Sequence, residues 1–244
     1  MGHHRIFLAG ATGAIGSRLT PMLRKAGHVV CGSTRSPAKA EALRALGAEP
    51  VVVNVFDAGA LSRVLAAAAP DVVIHQLTDL PKDLDPGQMS EALVRNARIR
   101  DEGTRNLVGA AIAAGARRFI AQSIVWMYAP GGEPHTESDP LDIGAQGERS
   151  ITLRGVLALE RLTLESPPLR GVVLRYGRLY GPGTHSSRAS DFAPLHVDAA
   201  AHAAALAVDR GEPGIFNVAE PNRHVATDKA RTELGWSAAF RLPS

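Results

Sequence analysis

The chain has a single cysteine, Cys31, among its 244 residues. One thiol excludes an intramolecular disulfide and fits a reducing compartment, so a cytoplasmic protein is expected. No stretch reaches the roughly 18 consecutive apolar residues of a membrane span. The N-terminal residues lead straight into a strand, so no secretory leader is expected. Lysine and arginine are scattered and form no run, and the net charge is only +3. Both facts argue against nucleic acid as a partner. His3, His4, His75, His135, His185, His196, His202 and His224 lack the paired spacing of metal ligands, and no metal is expected. What remains is an ordinary globular composition, 45 % apolar and 21 % charged, long enough for one large α/β domain or a domain with a small appendage.

Short apolar runs alternate with amphipathic segments. Strands are predicted at residues 5–10, 28–34, 50–55, 71–75, 117–122, 171–176 and 214–218. Helices are predicted at 15–25, 37–46, 58–69, 89–114, 149–165, 197–209 and 226–234, with loops at 80–87, 129–147 and 181–194. Regular alternation with short connections describes an α/β protein: a doubly wound parallel sheet, the Rossmann fold, with right-handed crossovers. The reading divides the chain into a dinucleotide-binding domain, residues 1–180, and a small C-terminal cap, residues 181–244, packed over the carboxyl edge of the sheet.

The first strand ends in a glycine-rich turn that opens the first helix. Gly10 allows the tight turn, Gly13 lets the backbone approach a pyrophosphate, and Gly16 lets helix pack closely on strand. Thr12, Ala14 and Ile15 complete the turn, and the free amides at the helix start favour an anion. A glycine motif directly between a strand and a helix is the context that gives it meaning. The end of the second strand chooses the dinucleotide. NAD(H) sites place an acid there to bind the ribose hydroxyls. Here the residues are Ser33, Thr34, Arg35 and Ser36, with Lys39 beyond. An arginine pairs with a 2′-phosphate and stacks on adenine, so NADP(H) is expected.

Several further segments carry a resemblance: Asn54 to Asp57, Val73 to Thr78, Glu102 to Leu107, Arg118 to Ser123, Leu174 to Gly183, Leu195 to Ala200 and Lys229 to Trp236. Together with the Gly-x-x-Gly-x-x-Gly turn they resemble the extended short-chain dehydrogenase/reductase superfamily, the NAD-dependent epimerase/dehydratase family. The resemblance implies that Asp57 contacts the adenine amino group. It implies that His75, Gln76 and Leu77 pass under the cofactor ribose, that Ser123 lies near the cofactor, and that Tyr176 packs beside the nicotinamide. It also implies a homodimer formed through the helices at 89–114 and 149–165. The loops at 183–195 and 217–229 are shorter than the family's, which reduces the substrate lobe.

The family's chemistry uses a tyrosine as general acid/base, a lysine four residues later, and a serine or threonine that orients the substrate oxygen. Proton transfer accompanies hydride transfer, and a nearby ammonium lowers the phenol's pKa. Counting from Glu160, which resembles a glutamate of the same helix, puts Thr152 at the tyrosine position and Val156 at the lysine position. Counting from Tyr128 puts Ile124 at the serine position, with Ser123 one residue earlier. Tyr128, Thr152 and Ser123 are therefore the candidate catalytic residues, with Tyr176 and His185 as further candidate acids. Three functions stay open: an NADP(H)-dependent oxidoreductase acting on a small carbonyl or hydroxyl compound through a non-standard site, a non-catalytic NADP(H)-binding redox sensor, and a sugar-nucleotide epimerase or dehydratase.

Overall fold

The structure is a computed structural model and describes residues 2–81 and 85–243. In chain order the elements are β1 (Arg5–Ala9), α1 (Ala14–Lys25), β2 (Val29–Thr34), α2 (Ala40–Ala45), β3 (Glu49–Val52), α3 (Ala58–Ala68), β4 (Val72–His75), α4 (Pro86–Arg98), α5 (Thr104–Ala113), β5 (Arg118–Ile124), α6 (Gly147–Leu164), β6 (Arg170–Tyr176), β7 (Arg178–Tyr180), β8 (Pro194–His196), α7 (Val197–Leu206) and β9 (Gly214–Val218). Seven strands form one parallel sheet in the order β3-β2-β1-β4-β5-β6-β9, and β7 and β8 form a separate parallel pair.

The central strands are apolar on both faces because helices cover both. Along β1, Ile6 and Leu8 pack with Ile15 and Leu19 of α1 and the alanines of α7. Phe7 and Ala9 point the other way, against Leu61 and Leu65 of α3 and Leu107 and Ala111 of α5. A third buried cluster caps the carboxyl ends of β5 and β6; it holds Ile124, Val125, Tyr128, Leu153 and Val156.

Several boundaries depart from the expectation. The third strand ends at Val52 rather than 55. The helix at 37–46 is a 3-10 turn, Pro37–Lys39, followed by α2. The single helix at 89–114 is α4 and α5 joined through a π-helical turn, Ile99–Gly103, and the segment at 226–234 closes in a second π-helical turn, Ala230–Leu234. Within the loop at 80–87, residues 82–84 lie outside the described residues, and the Asp85 carboxylate caps α4 by accepting from the Gly87 amide at 3.0 Å. The division at residue 180 does not follow the sheet. β9, assigned to the cap, is the seventh strand and pairs with β6 from Val172–Gly214 to Tyr176–Val218. A short strand that follows the alanine-rich helix after a brief connection carries no sign of which sheet it joins. Among the described residues no helix is long and apolar enough to cross a membrane.

Candidate functional site

The glycine turn is built by steric necessity. Gly10 has φ +87°, and a Cβ there would lie 2.7 Å from the Gln76 carbonyl oxygen. A Cβ on Gly16 would lie 2.2 Å from the Gly10 carbonyl oxygen. Only glycine lets β1, β4 and α1 meet this closely. Gly13 is the exposed N-cap residue of α1 and offers no side-chain cap; its amide donates to the Gly10 carbonyl at 3.0 Å, and no acid occupies the first turn. The amides of Ala14 and Ile15 are thus left for an external acceptor. Thr12 is half-buried beside them.

Beside this turn a cleft lies at the carboxyl ends of β1, β2 and β3; Ser33, Arg35, Phe56, Leu77 and Ile99 are among its walls. Arg35 stands at its mouth, where its guanidinium donates to Asp79 at 3.0 Å. Asp79 also receives Arg95 at 3.2 Å. The Ser36 amide is turned back onto the Thr34 hydroxyl at 3.1 Å. Asp57 does not line the cleft. It is exposed and caps α3, accepting from the Ala60 amide at 2.8 Å, while its neighbour Phe56 forms the wall under the Arg98 guanidinium, 4.1 Å from the ring centre. Capping α3 engages only Oδ1 of Asp57, which leaves Oδ2 for the expected adenine contact.

Beyond β1 the site passes to β4, β5 and β6. His75 ends β4 fully buried. It accepts from the Leu77 amide at Nδ1, 3.2 Å, so Nε2 carries the proton and donates to Thr104 at 3.1 Å. Burial, aided by the charge of Arg100, lowers its pKa to about 3, so it is neutral at physiological pH. The Gln76 side chain is buried with neither amide atom bonded, on the face of the sheet that holds Tyr176. The Tyr176 hydroxyl donates to the Ala200 carbonyl at 3.2 Å, and burial pushes its pKa well above the ordinary phenol value.

The candidate acids are not free. Ser123 donates to Glu160 Oε1 at 2.7 Å, deep in the protein. Glu160 is clamped by Arg175, which donates through Nε at 2.9 Å and Nη2 at 2.6 Å. Arg175 Nη1 also donates to the Tyr128 hydroxyl at 2.9 Å, and that hydroxyl donates to Asn217 at 2.6 Å. Burial raises the Tyr128 pKa, Arg175 opposing it. The structure thus brings Ser123 and Tyr128 into one buried polar chain in which both hydroxyls are engaged. Thr152 and Val156 are buried on α6, Val156 within the third apolar cluster. His185 is exposed on the loop after β7.

Two features escaped the sequence reading. Arg100, in the π-helical turn, is buried yet has no bonded partner among the described residues. Its position among Arg98, Asp101, Glu102 and Arg105 reads as one more solvated charge. The second is an aromatic pair around Arg178, which stands 5.3 Å from the Trp126 ring centre and 5.9 Å from that of Phe192. The three residues follow β5, begin β7 and precede β8, so only the fold brings them together. Among the described residues no group of three or more His, Cys, Asp or Glu is placed to hold a metal ion.

Comparison with known proteins agrees with this architecture. The model of the NAD dependent epimerase/dehydratase family matches residues 6–214, and the chain belongs to that family; it is an enzyme of the NAD-dependent oxidoreductase, epimerase and dehydratase group. A 3-diazoavenalumate denitrifying reductase of Streptomyces is 42 % identical over 240 aligned residues, covering 88 % of this chain and 76 % of that protein. The dTDP-4-dehydrorhamnose reductase of Streptomyces griseus is 28 % identical over 179 residues, 73 % of this chain and 51 % of that one. Among solved structures, UDP-glucose 4-epimerase of Thermotoga maritima superposes with a TM-score of 0.78 at 19 % identity, covering 97 % of this chain and 94 % of that chain. The enzyme WbmG of Bordetella bronchiseptica, solved with NAD and UDP, superposes with a TM-score of 0.74 at 21 % identity, covering 99 % and 91 %. At these identities the structural matches establish the fold.

Proposed function

We propose that this chain is an NADPH-dependent reductase whose substrate is a diazo- or diazonium-bearing aromatic carboxylate. The observation that carries the reading is the pair Thr152 and Val156 at the positions of the family's acid and its lysine, with both nearby phenols buried and bonded elsewhere. Reduction of a carbonyl needs a proton at oxygen as hydride arrives, and among the described residues Tyr128 and Tyr176 spend their hydroxyls on Asn217 and the Ala200 carbonyl. A diazonium carbon has no such need: it gains hydride, its C–N bond breaks, and the bonding pair leaves with N2. The relative at 42 % identity is named for a reduction of a diazo compound, and this supports the choice. NADPH supplies the hydride when bound. The residues that would hold it are the Gly10–Gly16 turn, the walls of the cleft and Arg35, whose guanidinium would exchange Asp79 for a 2′-phosphate. Trp126, Phe192 and Arg178 suit a planar ring bearing a carboxylate.

The same reading places the enzyme in the cytoplasm, where its lone buried Cys31 stays reduced, with a small molecule and no nucleic acid as partner. It also expects a homodimer through α4 and α6, which pack together and leave Val94 and Leu157 exposed; light scattering that shows a monomer at micromolar concentration counts against it.

The test is turnover of NADPH labelled with deuterium at C4, with an aryl diazonium carboxylate against an enzyme-free control. The expected result is enzyme-dependent N2 release and one deuterium on the former C–N carbon. Turnover of carbonyl compounds but not the diazonium returns the function to carbonyl reduction by an acid not identified above. Tight NADPH binding without turnover of either makes the protein a redox sensor.

A further inference from the structure

Arg100 keeps only 5 % of its surface exposed. Among the described residues its guanidinium makes no hydrogen bond and no ion pair. The carboxylate whose field it feels is that of Glu160, and Glu160 is already held by both Arg175 and Ser123. Its other polar neighbour is His75, which is neutral and fully used. Burying a cation without a counter-charge is costly. Among the described residues no unshared carboxylate relieves that cost.

The direction of the side chain says where relief comes from. The sealed, unbonded polar atoms of the structure belong to Gln76, Asp198 and His202, not to Arg100. The little surface that Arg100 keeps therefore lies at its guanidinium. The π-helical turn that carries Arg100 packs on α6, the helix of Val156 and Glu160, and the charge of Arg100 acts on His75 at the end of β4 and on Glu160. The described cleft takes the β1–β3 side of the glycine turn. A dinucleotide spanning the carboxyl ends of a parallel sheet extends its other half over β4 and β5. That half meets no lysine, because position 156 is valine.

We infer that Arg100 is a cofactor-binding residue, whose guanidinium donates to the hydroxyl oxygens of the ribose that carries the nicotinamide. The inference rests on the dinucleotide reading above and adds the cation that this half of the site otherwise lacks. It separates Arg100 from Arg35 by function: Arg35 distinguishes NADPH from NADH, whereas Arg100 holds both alike.

The test is titration of NADPH and NADH into the unaltered protein, R100M and R35D, with thermal unfolding of each in the absence of dinucleotide. R100M is expected to weaken both dinucleotides by about 10- to 100-fold, the worth of a hydrogen bond to a charged group. Its unfolding temperature is expected to rise by about 2–4 °C, because an uncompensated buried charge is gone. R35D is expected to weaken NADPH selectively. Unchanged affinity of R100M for both dinucleotides overturns the inference, as does a lower unfolding temperature with unchanged affinity. Should R100M fail to fold, R100Q replaces it under the same criteria; failure of both overturns the inference, since Arg100 would then be holding the fold. Binding of neither dinucleotide by the unaltered protein overturns the cofactor reading itself, and this inference with it.

Discussion

Arg175 and Glu160 form a two-pronged ion pair, Nε to Oε1 at 2.9 Å and Nη2 to Oε2 at 2.6 Å, with both side chains almost wholly buried. It ties β6 to α6 beneath the end of β5, where Ser123 joins it. Buried pairs of this kind add little net stability over an apolar replacement, but breaking one leaves its partner charged and alone. Glu160→Gln is therefore expected to destabilise the protein by about 3–5 kcal/mol. Urea denaturation of the two proteins measures it, and a loss below about 1 kcal/mol would show that Arg175 finds another partner.

Tyr128 extends that pair to Asn217, and its hydroxyl is engaged on both sides. Tyr128→Phe is expected to cost about 1–3 kcal/mol in stability, because two buried polar groups lose a partner. Catalysis should hardly respond: kcat/KM for the proposed diazonium substrate is expected to stay within about threefold of the unaltered enzyme. A drop of several hundredfold with the fold intact would restore Tyr128 as the acid.

Arg35 is held by Asp79 across the mouth of the cleft, and Asp79 shares itself with Arg95. A 2′-phosphate must displace this carboxylate. Asp79→Asn is accordingly expected to tighten NADPH by a few-fold, about what an exposed ion pair is worth, and to leave NADH unchanged. Isothermal titration with both dinucleotides is the measurement. Equal tightening of the two would mean that Asp79 acts on the shape of the cleft and not on the phosphate.

The parts of the site that sequence reveals are those that backbone geometry dictates locally. Gly10 and Gly16 are forced by contacts of 2.7 and 2.2 Å that any Cβ would make, so the residue type itself reports the turn. The Ser123–Glu160–Arg175 chain is different. Its members lie on three elements far apart in the chain, and the resemblance that singles out Ser123, Glu160 and Arg175 one by one does not say that they bond to one another. Only burial distinguishes Arg100 from Arg98, two residues earlier and exposed at the end of α4. β9 hid for a related reason: alternation identifies a strand but not the edge it joins, and β6 had an open edge to offer. Thr152 and Val156 show the reverse case, where sequence spoke first. The missing tyrosine and lysine are legible in their positions, and the fold adds that both residues are buried on α6.

His75 provides a pH signature that needs no substrate. Its pKa is near 6.5 in the unfolded chain and about 3 in the folded one, lowered first by burial and then by Arg100. Between those values the unfolded state binds the proton and the native state does not, so stability falls as pH falls from about 6.5 toward 3 and levels off below that. His28, His196 and His202 are lowered in the same direction, by burial first, so the protein as a whole is expected to lose stability on acidification from pH 7 to pH 5. His75→Gln removes one contributor. The variant should start less stable at pH 7, because Thr104 and the Leu77 amide lose their ring partner. Its loss between pH 6 and pH 5 should nonetheless be shallower by up to about 1.4 kcal/mol per pH unit, the weight of one proton. Urea unfolding at pH 7, 6 and 5 reads the slope independently of the starting value. Parallel slopes in the two proteins would mean that His75 titrates in the folded state as it does in the open chain.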